Sequence, residues 1–501
     1  MRDLPASSSV VAHQAMLPDP VVRSGLDEPD LAVFRRLGHR MLDDAFDDLE
    51  CVREGPVWLP MPAEVRDAWD GSLPLNGTTL EDTYSAYRAL IAPYGVGNRH
   101  PRFFGWVHGG GTAVGLLAEM LAGALNANCG GRDQAPIECE RQVIRWSAEM
   151  LGLPITSSGL VLSGTSMANL VAVLAARTAK LGNKVRHTGV GSARLTGYAS
   201  AGSHMCAARA FDMAGLGSDA LRLIPCDDAH RMRLPELRRA VAEDRAAGLL
   251  PFIVVGTAGS VDVGAIDGLP AIAQLCVEEQ LWMHVDAAFG AIAMLSPALR
   301  PLFCGMERAD SVAFDFHKWA QVPYEAGCIV VRDAAAHRAT FTREAPYLRR
   351  GARGLAAGEP WPVDLGPELS RGFRALKVWM TLRTYGADRI GQVAERCCAL
   401  AKRLAAAIDA DPHLERLAPV ALNIVCFRFS PGSDHDQAEI AADLQEAGGV
   451  VLSTTSVGGR AALRAAIVNH RTVEADVDAI TPSVVMAGLS RCAPDRRREV
   501  A

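Results

Sequence analysis

Lys318 lies in the tetrapeptide Phe316-His317-Lys318-Trp319, 32 residues after Asp286, which closes the apolar run Leu281 to Val285. The flanking runs SVAF and AGCIVV read as short buried strands. The lysine is therefore expected between two core strands, desolvated, with a lowered pKa and a neutral amine able to attack an aldehyde. An acid at the end of a buried strand is costly unless it faces a cation, and a protonated pyridine nitrogen is such a cation. Upstream, LVLSGTSMANLVAVLAAR runs strand, turn, helix, with Gly164-Thr165-Ser166 at the turn. Amides and small hydroxyls there suit a phosphate. An aldehyde, a basic ring nitrogen and a phosphate are together the functional groups of pyridoxal 5'-phosphate. His204, between a short strand and a helical run, is placed to stack on such a ring and relay a proton. Asp315 and His317 flank the lysine within reach of the phosphate or its loop. Each residue has a plainer reading: a lysine stem lying on apolar surface, an aspartate in an ion pair, a Ser/Thr turn that only caps a helix, a histidine satisfied by backbone. The cofactor reading rests on their combination.

The elements that must position these residues are those of a large chain. At 501 residues, two or three folding units are expected. Apolar residues make up 49% and charged residues 22%, as in a globular enzyme. The net charge of −6 argues against nucleic acid as a partner. Twelve cysteines without a CxxC pair fit reduced thiols in a cytoplasmic protein, with neither a disulfide framework nor a metal site expected. The N-terminal MRDLPASSSVVAHQAML has an acid at position 3 and no sustained apolar core, so no secretory signal is expected. GGGTAVGLLAEMLAGALNA, interrupted by Glu119, reads as an interface or core helix, and no membrane partner is expected.

Residues 1–28 carry Pro and Ser without periodicity and are expected to lack fixed structure. Residues 29–100 form an N-terminal helical arm, whose helix from Leu31 to about Val52 cannot bury its apolar face alone and is expected to pack on a second subunit. From 101 to 389, the apolar runs GLVLS, GYAS, ALRLIPC, PFIVVGTAG, LWMHVD, SVAFDF and GCIVVR alternate with helical stretches, including Ser166–Leu181 and Glu368–Tyr385. This predicts an α/β domain with a mostly parallel sheet and ligands at the carboxyl ends of its strands. In 390–501, LNIVCFRF, GVVLSTTSV and RAALRAAIV, with helices at 391–408 and 436–447, predict a smaller α+β domain.

Taken in order, HPRFFGWV (100–107), SGTSMANLVAVLAAR (163–177), YASAGSH (198–204), GTAGSVDVGAID (256–267), HVDAAFGA (284–291), DFHKW (315–319) and FRALKVWMTLRTYG (373–386) resemble the group II pyridoxal-phosphate-dependent amino-acid decarboxylases over roughly residues 30–485. The resemblance implies fold-type I, the aspartate-aminotransferase-like architecture, and a homodimer with its active site at the interface. It makes Lys318 the Schiff-base lysine, pairs Asp286 with the pyridine nitrogen, stacks His204 on one ring face and sets Ala288 against the other. It gives the phosphate to Thr165, Ser166, Asp315 and His317, and the substrate end of the pocket to Trp106 and His108.

By the same resemblance the activity is loss of carbon dioxide from an L-amino acid with release of an amine. Trp106 favours an aromatic or bulky substrate, while His108, Arg102 and Arg353 leave an acidic one open. Two departures stand out. The stretch 351–370, taken as the loop where family decarboxylases carry a proton-donating tyrosine, has none, and the nearest, Tyr347, is matched to a different family position. Val261 stands where many members have threonine, leaving Ser260 as the closest hydroxyl. Relatives without the tyrosine release aldehyde, ammonia and peroxide, so that outcome, or another pyridoxal lyase reaction, is the alternative. A non-catalytic homologue is the remote one.

Overall fold

The computed structural model describes residues 26–28, 30–343 and 345–492. The expectation for residues 1–28 falls almost wholly outside them. The seven apolar runs read from the sequence are seven strands: β1 (Ser158–Leu162), β2 (Leu195–Ser200), β3 (Leu221–Ile224), β4 (Leu250–Thr257), β5 (Trp282–Asp286), β6 (Ser311–Asp315) and β7 (Gly327–Val331). They form one sheet in the order β1-β7-β6-β5-β4-β2-β3. β7 runs antiparallel to both neighbours, and the pairs among β2 to β6 are parallel. A sheet covered by helices on both faces has strands buried on both sides, which is why they read as continuous apolar runs with no alternation.

Helix Thr165–Leu181 packs against β6 and β7 through Ala168, Val171 and Ala172. Gly327 makes this approach possible, because a Cβ there would lie 2.3 Å from the Gly164 Cα. The phosphate-type turn after β1 is thus pressed against the strand pair that carries Lys318. All twelve cysteines are free. Among the described residues no helix is long and apolar enough to cross a membrane, and no group of three or more His, Cys, Asp or Glu is placed to hold a metal ion.

A second sheet follows, in the order β10-β11-β9-β8, from β8 (Leu414–Arg416), β9 (Ile424–Phe429), β10 (Ser453–Val457) and β11 (Arg460–Ala466). Three of these strands match the sequence reading, and the three-residue β8 was too short to show a pattern. The segment 100–107 runs along this sheet, with Phe104 N donating to Val451 O and Ala466 N to Phe104 O. It joins the second sheet to the cavity described below.

Helix Leu31–Glu50 is capped by Asp30, whose carboxylate accepts from the Ala32 and Val33 amides at 3.0 and 3.2 Å. None of its residues is buried within the single chain. Helix Ala113–Leu125 packs on helix Arg374–Tyr385, where buried Lys377 pairs with Glu119, yet leaves Met120, Leu121 and Leu125 exposed.

The helix expected from Glu368 begins only at Arg374. The cause is Arg371, whose amide donates to Asn128 Oδ1 and whose buried guanidinium donates to both Glu140 oxygens, at 2.9 and 2.6 Å, and to Val161 O. Those bonds pull the backbone away from helical geometry. They also anchor β1, since Glu140 accepts the Val161 amide. Arg371→Met is expected to lower unfolding free energy by about 3–5 kcal/mol, because it leaves Glu140 a buried, unpaired charge. A denaturant midpoint unchanged from wild type would contradict this. Arg371→Met with Glu140→Gln is expected to recover part of the loss.

Candidate active site

A cavity of about 680 Å³ opens at the carboxyl ends of β1, β4, β5 and β6, the place a parallel sheet offers a ligand. Lys318 sits three residues past the end of β6, with Trp319 fully buried edge-on to Phe289. The Lys318 Nζ lies 2.8 Å from Asp315 Oδ2, while Asp315 Oδ1 accepts the Thr165 amide at 2.8 Å. One carboxylate therefore ties the lysine to the turn after β1.

This pair corrects the expected ionisation. Burial does pull Lys318 down, but the charge and hydrogen bond of Asp315 outweigh it and hold the ammonium above the ordinary lysine range. Burial likewise pushes Asp315 up, and Lys318 and His317 overcome it to hold the carboxyl below its ordinary range. An ionised Asp315 accepts and cannot donate. It holds Lys318 Nζ and the Thr165 amide, and it has no hydrogen to offer the phosphate expected beside it.

His317 accepts the Ala326 amide at Nδ1 (3.0 Å), which leaves its Nε2 toward Asp315 Oδ2 at 3.6 Å. Asp286 closes β5 with Oδ1 accepting the Ala288 amide at 3.1 Å and Oδ2 accepting from Asn169 Nδ2 at 2.9 Å. His204 lies on the cavity wall after β2, with Nδ1 accepting the Cys206 amide at 3.2 Å, and burial lowers its pKa. Ser166 and Ala288 line the same cavity.

Trp106 and His108 form its outer wall, their rings 6.1 Å apart, with His108 also stacked on Phe103 at 5.8 Å. Burial pulls His108 down to about 4, so it is neutral near pH 7, and its Nδ1 has no partner. Arg102 is spent on Asp476 at 3.2 Å, and Arg353 lies exposed outside the cavity lining.

Ser260 is the misplaced residue. Its hydroxyl accepts the Ala265 amide at 3.0 Å and tightens the turn after β4, so it does not reach the cavity. Thr257, at the end of β4, faces the cavity instead, with a buried Oγ1 that has no partner. Thr165 Oγ1 is similarly orphaned. Two unpartnered hydroxyls beside a glycine turn, an amine and a strand-end carboxylate fit pyridoxal phosphate well: polar ends to hold its substituents, a carboxylate for its ring nitrogen.

Sequence reasoning also missed Tyr324, whose ring packs 4.3 Å from that of His317, and Arg464. Arg464 is only 3% exposed. Its Nη1 donates to Gly105 O and Ser453 Oγ and its Nε to Asp262 O, while Nη2 is buried with no partner. It lines the cavity and has no carboxylate partner among the described residues. A charged residue inside the apolar pattern RAALRAAIV of β11 was the available signal.

The family model described as the pyridoxal-dependent decarboxylase conserved domain matches residues 62–430. The chain belongs to this family. It is a pyridoxal-phosphate-dependent carboxy-lyase of fold-type I. The aromatic-L-amino-acid decarboxylase of Bacillus atrophaeus is 31% identical over 450 residues, covering 87% of this chain and 92% of the relative. The phenylacetaldehyde synthase of Arabidopsis thaliana is 28% identical, covering 87% and 92%. Among solved structures, Oryza sativa TDC with PLP and tryptamine superposes with a TM-score of 0.85 at 27% identity, covering 93% of this chain and all of that one.

Proposed function

We propose that this enzyme removes carbon dioxide from an L-amino acid with an aromatic side chain and releases the amine. The observation that carries the reading is Arg464, a buried guanidinium with a free Nη2 on the wall of the cavity that holds Lys318. A desolvated cation of this kind calls for an anionic ligand, and the carboxylate of an amino acid is the matching group. Lys318 would hold the cofactor through its aldehyde, with Asp315 Oδ2, 2.8 Å from Nζ, orienting the amine. Asp286 pairs with the ring nitrogen, and His204 and Ala288 cover the ring faces. Thr165 and Ser166, with His317 close by, receive the phosphate, and Thr257 replaces Ser260 beside the ring. Bound pyridoxal phosphate supplies the electron sink for the pair left when carbon dioxide departs. Arg464 and the cavity walls would hold the substrate carboxylate and so orient the bond at Cα that is to break. The neutral rings of Trp106 and His108 suit an aromatic substrate, which accords with relatives named for aromatic amino acids.

The connection from helix Ala334–Phe341 to helix Arg374–Tyr385 spans 342–373 and so includes Tyr347, four residues before the stretch 351–370. Tyr347 is 71% exposed on a short turn and does not line its own chain's cavity. We assign it as the proton donor that completes amine formation, reaching the site of a second copy. The unburied helix Leu31–Glu50 and the exposed Met120, Leu121 and Leu125 support such a homodimer. A cytoplasmic setting and a division into arm (29–100), large domain (101–389) and small domain (390–501) belong to the same proposal.

The likeness to an aldehyde synthase supports a second outcome, decarboxylation with dioxygen as oxidant and water consumed, giving aldehyde, carbon dioxide, ammonia and peroxide. A panel of L-amino acids read simultaneously for carbon dioxide, amine and peroxide tests both. Wild type is expected to give amine and carbon dioxide in equal amounts. Tyr347→Phe is expected to keep carbon dioxide release within about tenfold while most of the amine is replaced by aldehyde and peroxide, a proton-transfer catalyst being worth roughly 10²–10⁴-fold. Peroxide from the wild type would establish the second outcome, and no carbon dioxide from any amino acid would end the first.

A further inference from the structure

Behind Asp286 four polar side chains form an unbroken hydrogen-bonded file, none of them lining the cavity. Trp282 Nε1 lies 2.8 Å from Ser311 Oγ, which lies 2.8 Å from His284 Nδ1. His284 Nε2 is 2.7 Å from Asn169 Oδ1, and Asn169 Nδ2 is 2.9 Å from Asp286 Oδ2. Residues 282, 284 and 286 alternate along β5 and so share one face of the sheet. Ser311 opens β6, and Asn169 comes from helix Thr165–Leu181.

The two ends of the file permit one direction only. An indole N–H can only donate, and a carboxylate can only accept. Trp282 must therefore donate to Ser311 Oγ. The Asn169 amide must turn its NH₂ toward Asp286, which leaves its Oδ1 to accept from His284 Nε2–H. A neutral His284 then accepts at Nδ1, and the proton it accepts is that of Ser311. Burial pulls His284 down to about 4, so it remains neutral near pH 7. Any other tautomer sets two acceptors against each other in a buried site, a costly arrangement.

We propose that Trp282, Ser311, His284 and Asn169 are positioning residues that lock the Asp286 carboxylate in one orientation toward the cofactor's ring nitrogen, with the carboxylate fixing the direction of the protons from its end and Trp282 closing the file as its terminal donor. The inference rests on the assignment of Asp286 to that nitrogen. The titratable groups that face Asp286 are His284 from its own strand, Cys206 and His204 from the segment after β2, and Lys318 from the segment after β6. Cys206 Sγ lies 3.6 Å from Asp286 Oδ2, and burial pushes its pKa up and keeps it a thiol. It is a donor on the cavity side that the file does not need.

The test uses the holoenzyme and reads kcat, KM and the pH titration of the bound cofactor's visible absorption band. Ser311→Ala breaks the file at its centre, and Trp282→Phe, at a half-buried position, removes only its terminal donor. Each is expected to lower kcat about tenfold, the low end of the effect of removing an orienting partner, with KM within about twofold of wild type. Each is also expected to move the band's titration to higher pH by about one unit, since a ring charge held less firmly repels neighbouring protons less. Ser311→Thr, which keeps the hydroxyl, is expected to restore both. Wild-type kcat and a superimposable titration in either folded, cofactor-loaded variant overturn the file. Wild type without any visible band after cofactor addition overturns the Asp286 assignment itself, and this inference with it.

Discussion

Lys318→Ala is expected to abolish the visible absorption band formed on adding pyridoxal phosphate and to reduce carbon dioxide release at least ~10⁴-fold, the scale seen when a covalent catalytic group is deleted. No other residue of the cavity can substitute. The nearest cationic alternative, Arg464, stays protonated and is held by three backbone or hydroxyl acceptors. The substitution also removes the cationic partner of Asp315, which is buried and keeps only the Thr165 amide and His317 beside it. Apo Lys318→Ala is thus expected to melt below wild type, and adding Asp315→Asn is expected to recover melting temperature without recovering the band. That separation distinguishes a chemical role from a structural one. The Asp315–Lys318 pair carries its own pH signature. The lowered carboxyl contributes stability that is present above about pH 3.9 and lost as pH falls through its folded pKa. The raised ammonium contributes stability that is present below about pH 10.4 and lost as pH rises through its own. A band that persists in Lys318→Ala would remove the basis of the site.

Arg464→Lys is expected to lower kcat/KM by about 10²–10³-fold while the cofactor band is retained. Lysine keeps the charge but loses the planar fork, so it cannot serve Gly105 O, Asp262 O and a carboxylate at once. Loss of a buried, charge-assisted bond is worth roughly 2–5 kcal/mol, which spans that range. Both kcat and KM are expected to change, because the same contact that binds the carboxylate orients the bond to be broken. Wild-type kcat/KM in a folded Arg464→Lys enzyme would show that the substrate carboxylate is held elsewhere.

The candidate site was readable where a residue's type conflicts with its surroundings. Lys318 between two apolar strands and Asp286 at the end of a third are expensive to bury, and the structure sets both on one cavity. The seven strands of the main sheet were readable because strands covered on both faces leave continuous apolar runs. Readability failed where short-range pattern and long-range contact part ways. Glu368 to Phe373 has helical spacing, yet Arg371 is drawn to Glu140, 231 residues away in sequence. Ser260 and Thr257 are both small hydroxyl residues near β4, and only the turn that consumes the Ser260 hydroxyl decides between them. Tyr347 lay outside the expected loop because the start of that loop depends on where helix Ala334–Phe341 ends.

By itself the sequence determined the fold class, the cofactor and the lysine proposed to anchor it, because burial periodicity and the cost of a buried charge are local properties that residue type carries. The tertiary structure decided the ionisation of Lys318, the placing of a buried guanidinium on the cavity wall and the orientation behind Asp286. Those depend on Asp315, Arg464 and Trp282 meeting partners from other strands and helices, and electrostatic and hydrogen-bond energies are set by distances that only the folded chain defines.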